Sequence, residues 1–222
     1  MLFFGSILLV VLLGNYFKKQ LHIKSLALVY DPSAFSVPTI HGVTLLSLSA
    51  SAQKNYSKPP LAIFPPTTNL KFCEVTIHLT HEGTNDDVLV HVWLPLDCTA
   101  WNGRLQVTGG GGFATSKGFV GLAPAIQQGY AAVSTDGGHD EFSWTSLDWL
   151  LNATRTVKWE LWENFMHRSV VEQIVVAKGI VEQYYAEKSH HSYWNGCSQG
   201  GRQGYMLAQR HLYLLRVKNT GK

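Results

Sequence analysis

The chain of 222 residues is 45% hydrophobic and only 15% charged, with a formal net charge of +3. That is enough apolar material for one sizeable core, and twenty Gly, seven Trp and nine Tyr exclude a coiled coil or a disordered tail. With so small a charge and no long basic run, a nucleic-acid-binding surface is set aside.

Residues Leu2 to Phe17 are nearly all apolar, most densely from Ile7 to Leu13. The run falls short of the roughly 20 residues a membrane span needs and reads as a signal peptide over 1–17, which implies secretion. Lys18-Lys19 follow the run and no basic residue precedes it, so an uncleaved signal anchor is the alternative and the one route to a membrane. The domain proper is assigned to 18–211, with its body from about Ala34, and a tail to 212–222. Residues 50–69, rich in Ser, Asn, Pro and Thr, read as an extended surface connection. Strands follow at Cys73–Thr80, at Val88–Leu94 ended by Pro95, at Arg104–Thr108 before four glycines, and at Tyr130–Thr135 before Asp136-Gly-Gly-His139. Val170, Ile174, Val181 and Tyr185 repeat at helical spacing and predict a helix over 160–188, their stripe being core packing. Ser192–Asn195 reads as a short strand and Gly200–Arg210 as a helix. Short strands alternating with helices predict an α/β layer fold with a largely parallel sheet. Cys73, Cys98 and Cys197 form no C-x-x-C pair, so a zinc site is not expected. Asn55-Tyr-Ser and Asn152-Ala-Thr are glycosylation sequons, a weak pointer to secretion.

The chemistry concentrates in Gly196-Cys-Ser-Gln-Gly200, a G-x-S-x-G run between a predicted strand and a predicted helix. Such a run holds its serine on a sharp turn, and the residues two places either side must be small because strand and helix approach closely there. Gly196 and Gly200 meet that need, and Gly201 relaxes it further. Ser198 is then the candidate nucleophile, and the Gln199 N–H, at the positive end of the next helix, a candidate donor to the oxyanion of a tetrahedral intermediate. Gly109 to Gly112 is no P-loop, since no Gly-Lys-Ser/Thr follows. It fits the early loop that completes an oxyanion hole, with Gly110 and Gly111 as donors. Position 198, not 197, is the apex of the turn, so Cys197 is not read as the nucleophile.

Three segments in order, Trp101-Asn-Gly-Arg-Leu-Gln-Val-Thr-Gly-Gly-Gly-Gly-Phe113, Ala131-Ala-Val-Ser-Thr-Asp-Gly-Gly-His139 and Asn195-Gly-Cys-Ser-Gln-Gly-Gly-Arg-Gln-Gly204, resemble motifs of the tannase and feruloyl esterase family. The resemblance runs from about Ala34 to His211. It implies a serine carboxylic-ester hydrolase of α/β-hydrolase type that acts on small esters of aromatic acids such as gallate and ferulate. It also implies that Ser198 accepts the acyl group and that Cys197 pairs with a cysteine beside the catalytic histidine. The family carries a large lid after the elbow, usually with a structural calcium, and this chain is expected to lack both, so no cofactor or metal is assigned to it. His139 lies in a family motif but reads as a hydrogen-bonded histidine at a strand end. The partner the family gives Cys73 is not visible, and Cys98 is a possible substitute.

The sequence also departs from the family. After Ser198 it has no Asp or Glu, and its one later histidine, His211, lies far along the helix that starts at the elbow. No general base is in reach, and the partner of Cys197 is missing. The expectation is therefore an incomplete α/β-hydrolase sheet, without its C-terminal strands and lid, with the nucleophile strand at an exposed edge and negligible catalysis. A non-catalytic secreted or membrane-tethered binding protein on the same scaffold is the alternative.

Overall fold

The computed structural model describes residues 31–60 and 65–215. The proposed signal segment and most of the tail lie outside them. Among the described residues no helix is long and apolar enough to cross a membrane.

Among the described residues six strands form one sheet in the order β1-β2-β3-β5-β4-β6: β1 Val43–Lys58, β2 Thr67–His81, β3 Val88–Pro95, β4 Arg104–Thr108, β5 Ala131–Thr135 and β6 His191–Asn195. The sheet is mixed, not largely parallel. β1, β2, β3 and β5 pair antiparallel in succession, and only β5-β4-β6 is parallel. The supposed surface connection is also corrected: much of 50–69 belongs to β1 and the start of β2, paired from Val43↔His81 to Lys58↔Thr67. Asn55, at φ 61°, sits at the irregularity in that ladder. β1 is exposed or half-buried along its length, so its polar sequence carries no alternation to read.

Among the described residues there are four α-helices: α1 Phe119–Gln127, α2 Trp159–Met166, α3 Arg168–Tyr185 and α4 Gln199–Arg210. The helix expected over 160–188 is two, because His167 (φ −156°, ψ −56°) leaves helical geometry. Side chains fix the break. Ser169 Oγ donates to the Asn164 carbonyl (2.9 Å), Arg168 Nε to Asn164 Oδ1 (2.7 Å) and Arg168 Nη2 to the Glu160 carbonyl (3.2 Å).

Strand alternation builds two cores. Cys73, Val75, Ile77 and Leu79 face the side covered by α3, with Val170, Ile174, Ala177, Ile180 and Val181. Leu70, Phe72, Trp93 and Ala132 face the other side, under Leu122, Ala125 and Ile126 of α1. From β4 the chain crosses through α1 to β5 on one side, then returns through α2 and α3 to β6 on the other. Right-handed crossovers in opposite directions put their helices on opposite faces. The loops after β4 and β6 consequently leave adjacent parallel strands at the same end, the crevice where open α/β sheets bind ligands. β6 ends the strand order, as expected.

A buried ion network braces the far end of β2. His81 Nδ1 lies 2.6 Å from Asp86 Oδ2 and its Nε2 3.0 Å from Glu172 Oε2 on α3, while Asn164 Nδ2 donates to Asp86 Oδ2 (2.7 Å). Burial alone would discharge His81, but the two carboxylates outweigh it and raise its pKa to about 9.

Candidate active site

Ser198 joins β6 to α4 with φ 56° and ψ −116°. That is the region of the first central residue of a type II′ turn, where glycine is the usual occupant. A serine held there is strained and projects from the turn. Ser198 is exposed, and its side chain caps no N–H of α4.

The glycines around it are demanded by close approach. A Cβ on Gly196 would lie 2.6 Å from the Gly200 carbonyl carbon and oxygen, and one on Gly200 would lie 2.8 Å from the Gly110 oxygen. Gly201, in contrast, faces open space, so the relaxation expected of it is not needed. Trp194 fills the room these residues leave. A Cβ on Gly109, Gly196 or Gly204 would meet its indole at 2.5–2.6 Å, and its Nε1 donates to the Gly200 carbonyl (2.7 Å).

The glycine loop after β4 is tied directly to the elbow. Gly109 N donates to Asn195 O (2.9 Å), extending the β4–β6 ladder, and Gly200 N donates to Gly110 O (3.1 Å) and Cys197 O (3.0 Å). The N–H of Gln199, in the first turn of α4 where helices leave donors unpaired, makes no hydrogen bond among the described residues. Gly110 differs from expectation. Its N–H donates to Gln203 Oε1 (3.1 Å), so it is committed inward and not free for an oxyanion. Gly111 is held through its carbonyl, which accepts from Ala114 N (3.1 Å). Gln203 was not singled out from the sequence. It is a polar side chain, yet it is fully buried.

The histidines lie in other networks. His139 is buried, shares a hydrogen bond with Thr115 Oγ1 (2.9 Å) and stacks on Trp149 at 3.8 Å, and burial depresses its pKa to about 4. This fits the hydrogen-bonded histidine expected. In the same segment Asp136 accepts from Leu89 N (2.9 Å) and Gly138 N (2.7 Å), stitching β5 to β3, and burial pushes its pKa up to about 7 despite those bonds. His211 follows the last residue of α4, about 18 Å of helix from the elbow at 1.5 Å per residue, and its Nε2 meets His167 Nε2 at 3.1 Å.

All three cysteines are free thiols. Cys73 is buried, with its pKa raised by burial to about 12, Cys98 is half-buried and Cys197 is exposed, so neither the Cys73–Cys98 bond nor one to Cys197 is formed. Among the described residues no group of three or more His, Cys, Asp or Glu side chains is gathered as metal ligands, so nothing here fits the calcium that the resemblance attaches to a lid. Asn55 and Asn152 are both exposed, and Asn152 Oδ1 accepts from Thr154 N (3.0 Å) and Thr154 Oγ1 (2.7 Å).

Known proteins resemble this chain. The family model described as tannase and feruloyl esterase matches residues 73–212. The probable feruloyl esterase of Arthroderma benhamiae is 38% identical over 82% of this chain and 34% of its own length, and the tannase of Aspergillus oryzae is 29% identical over 78% and 29%. Among solved structures, the tannin acyl hydrolase from Aspergillus niger superposes with a TM-score of 0.73 at 30% identity, covering 86% of this chain and 36% of that one. Feruloyl esterase B from Aspergillus oryzae superposes at 0.60 and 26%, covering 80% and 34%. The chain spans about a third of the length of these relatives. Its glycine loop and its strained serine turn fall within the matched segment, and the chain belongs to the tannase and feruloyl esterase family.

Proposed function

We propose that this chain is the nucleophile-bearing part of a secreted serine carboxylic-ester hydrolase that acts on small esters of aromatic acids. Ser198 is the nucleophile, and the N–H groups of Gln199 and Gly111 are the oxyanion donors. The observation that carries the reading is the backbone of Ser198, a non-glycine residue at φ 56° between a strand and a helix N-terminus. The names of the relatives, a feruloyl esterase and a tannase, support the substrate class.

In this reading the Ser198 hydroxyl attacks the ester carbonyl. The carbonyl oxygen gains negative charge and is met by the two N–H groups and the positive end of α4. Collapse expels the alcohol and leaves an acyl-serine, which water then cleaves. Both steps need a base to take a proton, first from the serine and then from water. Among the described residues no histidine is bonded to Ser198: His139 is held by Thr115 and His211 by His167. We therefore assign the 222-residue chain negligible turnover by itself.

The test is release of free acid from methyl ferulate and methyl gallate by the purified chain and by its Ser198→Ala variant. Equal, near-background rates are expected. Release by the parent chain well above the variant would overturn the missing-base reading and keep the serine. Equal and substantial release by both would overturn the serine.

A further inference from the structure

Gln203 is fully buried on the face of α4 that also carries Gly200 and Leu207, and it uses both ends of its amide. Its Oε1 accepts from Gly110 N at 3.1 Å and its Nε2 donates to Thr115 O at 3.0 Å. These partners are the two ends of the turn 110–115 that follows β4. The turn is folded so tightly that a Cβ on Gly110 would run into the Ala114 carbonyl oxygen. A second tie from the same helix, Gly200 N to Gly110 O, holds the peptide next to Gly110. The helix that follows Ser198 thus grips the glycine loop at both of its ends.

We propose that Gln203 is a positioning residue for ester hydrolysis. By drawing the Gly110 N–H inward and anchoring Thr115, it fixes the orientation of the loop against the elbow and leaves Gly111 as the donor from that loop. Its catalytic meaning rests on the esterase reading above, but its geometric content does not. A buried amide with both ends satisfied is matched in shape by only one ionisable side chain. A protonated glutamic acid accepts through its carbonyl oxygen and donates through its hydroxyl, as the amide does. An ionised one accepts only, and would set a charge against the Thr115 carbonyl oxygen.

The experiment measures amide exchange by NMR in glycine-labelled 222-residue chain, as protection factors for Gly110 and for Gly109, whose N–H is bonded to Asn195 O. In Gln203→Ala, Gly110 protection is expected to fall about tenfold or more while Gly109 keeps its own, the scale of one lost buried hydrogen bond. In Gln203→Glu, the Gly110/Gly109 ratio of protection is expected to match the parent at acid pH and to change as the carboxyl ionises, since the charge strengthens its bond from the Gly110 N–H while repelling the Thr115 carbonyl oxygen. Unchanged Gly110 protection in Gln203→Ala would overturn the proposal, and so would equal losses at Gly109 and Gly110, which mark a merely structural residue. Should Gln203→Ala not fold, a pH-independent Gly110/Gly109 ratio in Gln203→Glu would overturn it equally. Alongside, the rate at which an aryl fluorophosphonate, with imidazole as added base, modifies Ser198 is expected to drop about tenfold in Gln203→Ala. No adduct on the parent chain would sink the esterase reading, and the exchange data would still decide the clamp.

Discussion

Replacing Ser198 by glycine should make the protein more stable while removing its nucleophile. At φ 56° and ψ −116° the backbone of Ser198 is where an L-residue costs about 1–3 kcal/mol and glycine costs little. Glycine gives back roughly 0.5–1 kcal/mol through the freer unfolded chain. The hydroxyl adds nothing to offset this, because it is exposed and caps no N–H. The net gain is about 1 kcal/mol, or roughly 2–4 °C in Tm for a domain of this size. Ser198→Ala keeps the Cβ and hence the strain, and should stay within about 0.5 kcal/mol of the parent. Thermal unfolding of the three proteins side by side reads the difference. A glycine variant no more stable than the alanine variant would show that the turn is relaxed, and the argument from strain to nucleophile would fail.

The surrounding glycines should respond according to the space each has. Gly196→Ala and Gly200→Ala push a methyl to 2.6–2.8 Å from backbone atoms and should cost about 1–3 kcal/mol, whereas Gly201→Ala enters open space within a helix and should gain about 0.4–1 kcal/mol, all read by denaturant midpoint. His81→Ala strands two buried carboxylates, Asp86 and Glu172, and should cost about 3–5 kcal/mol near neutral pH. The sign follows from a folded pKa raised to about 9 above an unfolded 6.5. The stabilisation is complete below pH 6.5 and is lost as pH rises through 9, so parent and variant should converge in stability at alkaline pH. Thiol alkylation of the native chain should mark the exposed Cys197 first and spare the buried Cys73 until unfolding, as peptide mapping would show.

The elements nearest the chemistry were legible because local signals agree there. β4 and β6 are short strands that lead directly into glycine motifs, and α4 opens on the G-x-S-x-G turn, so Ser198, Gly196 and Gly200 were read from residue type and spacing. What escaped depends on distant partners. α1 contains Gly121 and Pro124, which argue locally against a helix, and forms because Leu122, Ala125 and Ile126 are buried against the sheet. β1 is polar and mostly exposed, and is a strand because β2 pairs with it along its length. The helix break at His167 is set by side chains of Asn164, Arg168 and Ser169, where the apolar stripe runs on without interruption. Gln203 was hidden for the same reason: its two partners lie 93 and 88 residues earlier in the chain. Of the two loop glycines, the spacing could not say which N–H is already taken.

In the proposed mechanism Ser198 stands in a preformed site for attack on an acyl or phosphoryl centre. The most direct test is to treat the folded chain with an aryl fluorophosphonate and imidazole and to locate the adduct by peptide mass mapping. One adduct is expected, on Ser198, absent from Ser198→Ala and absent when the parent is unfolded before treatment. An adduct on another residue, or equal modification of folded and unfolded chain, would contradict it.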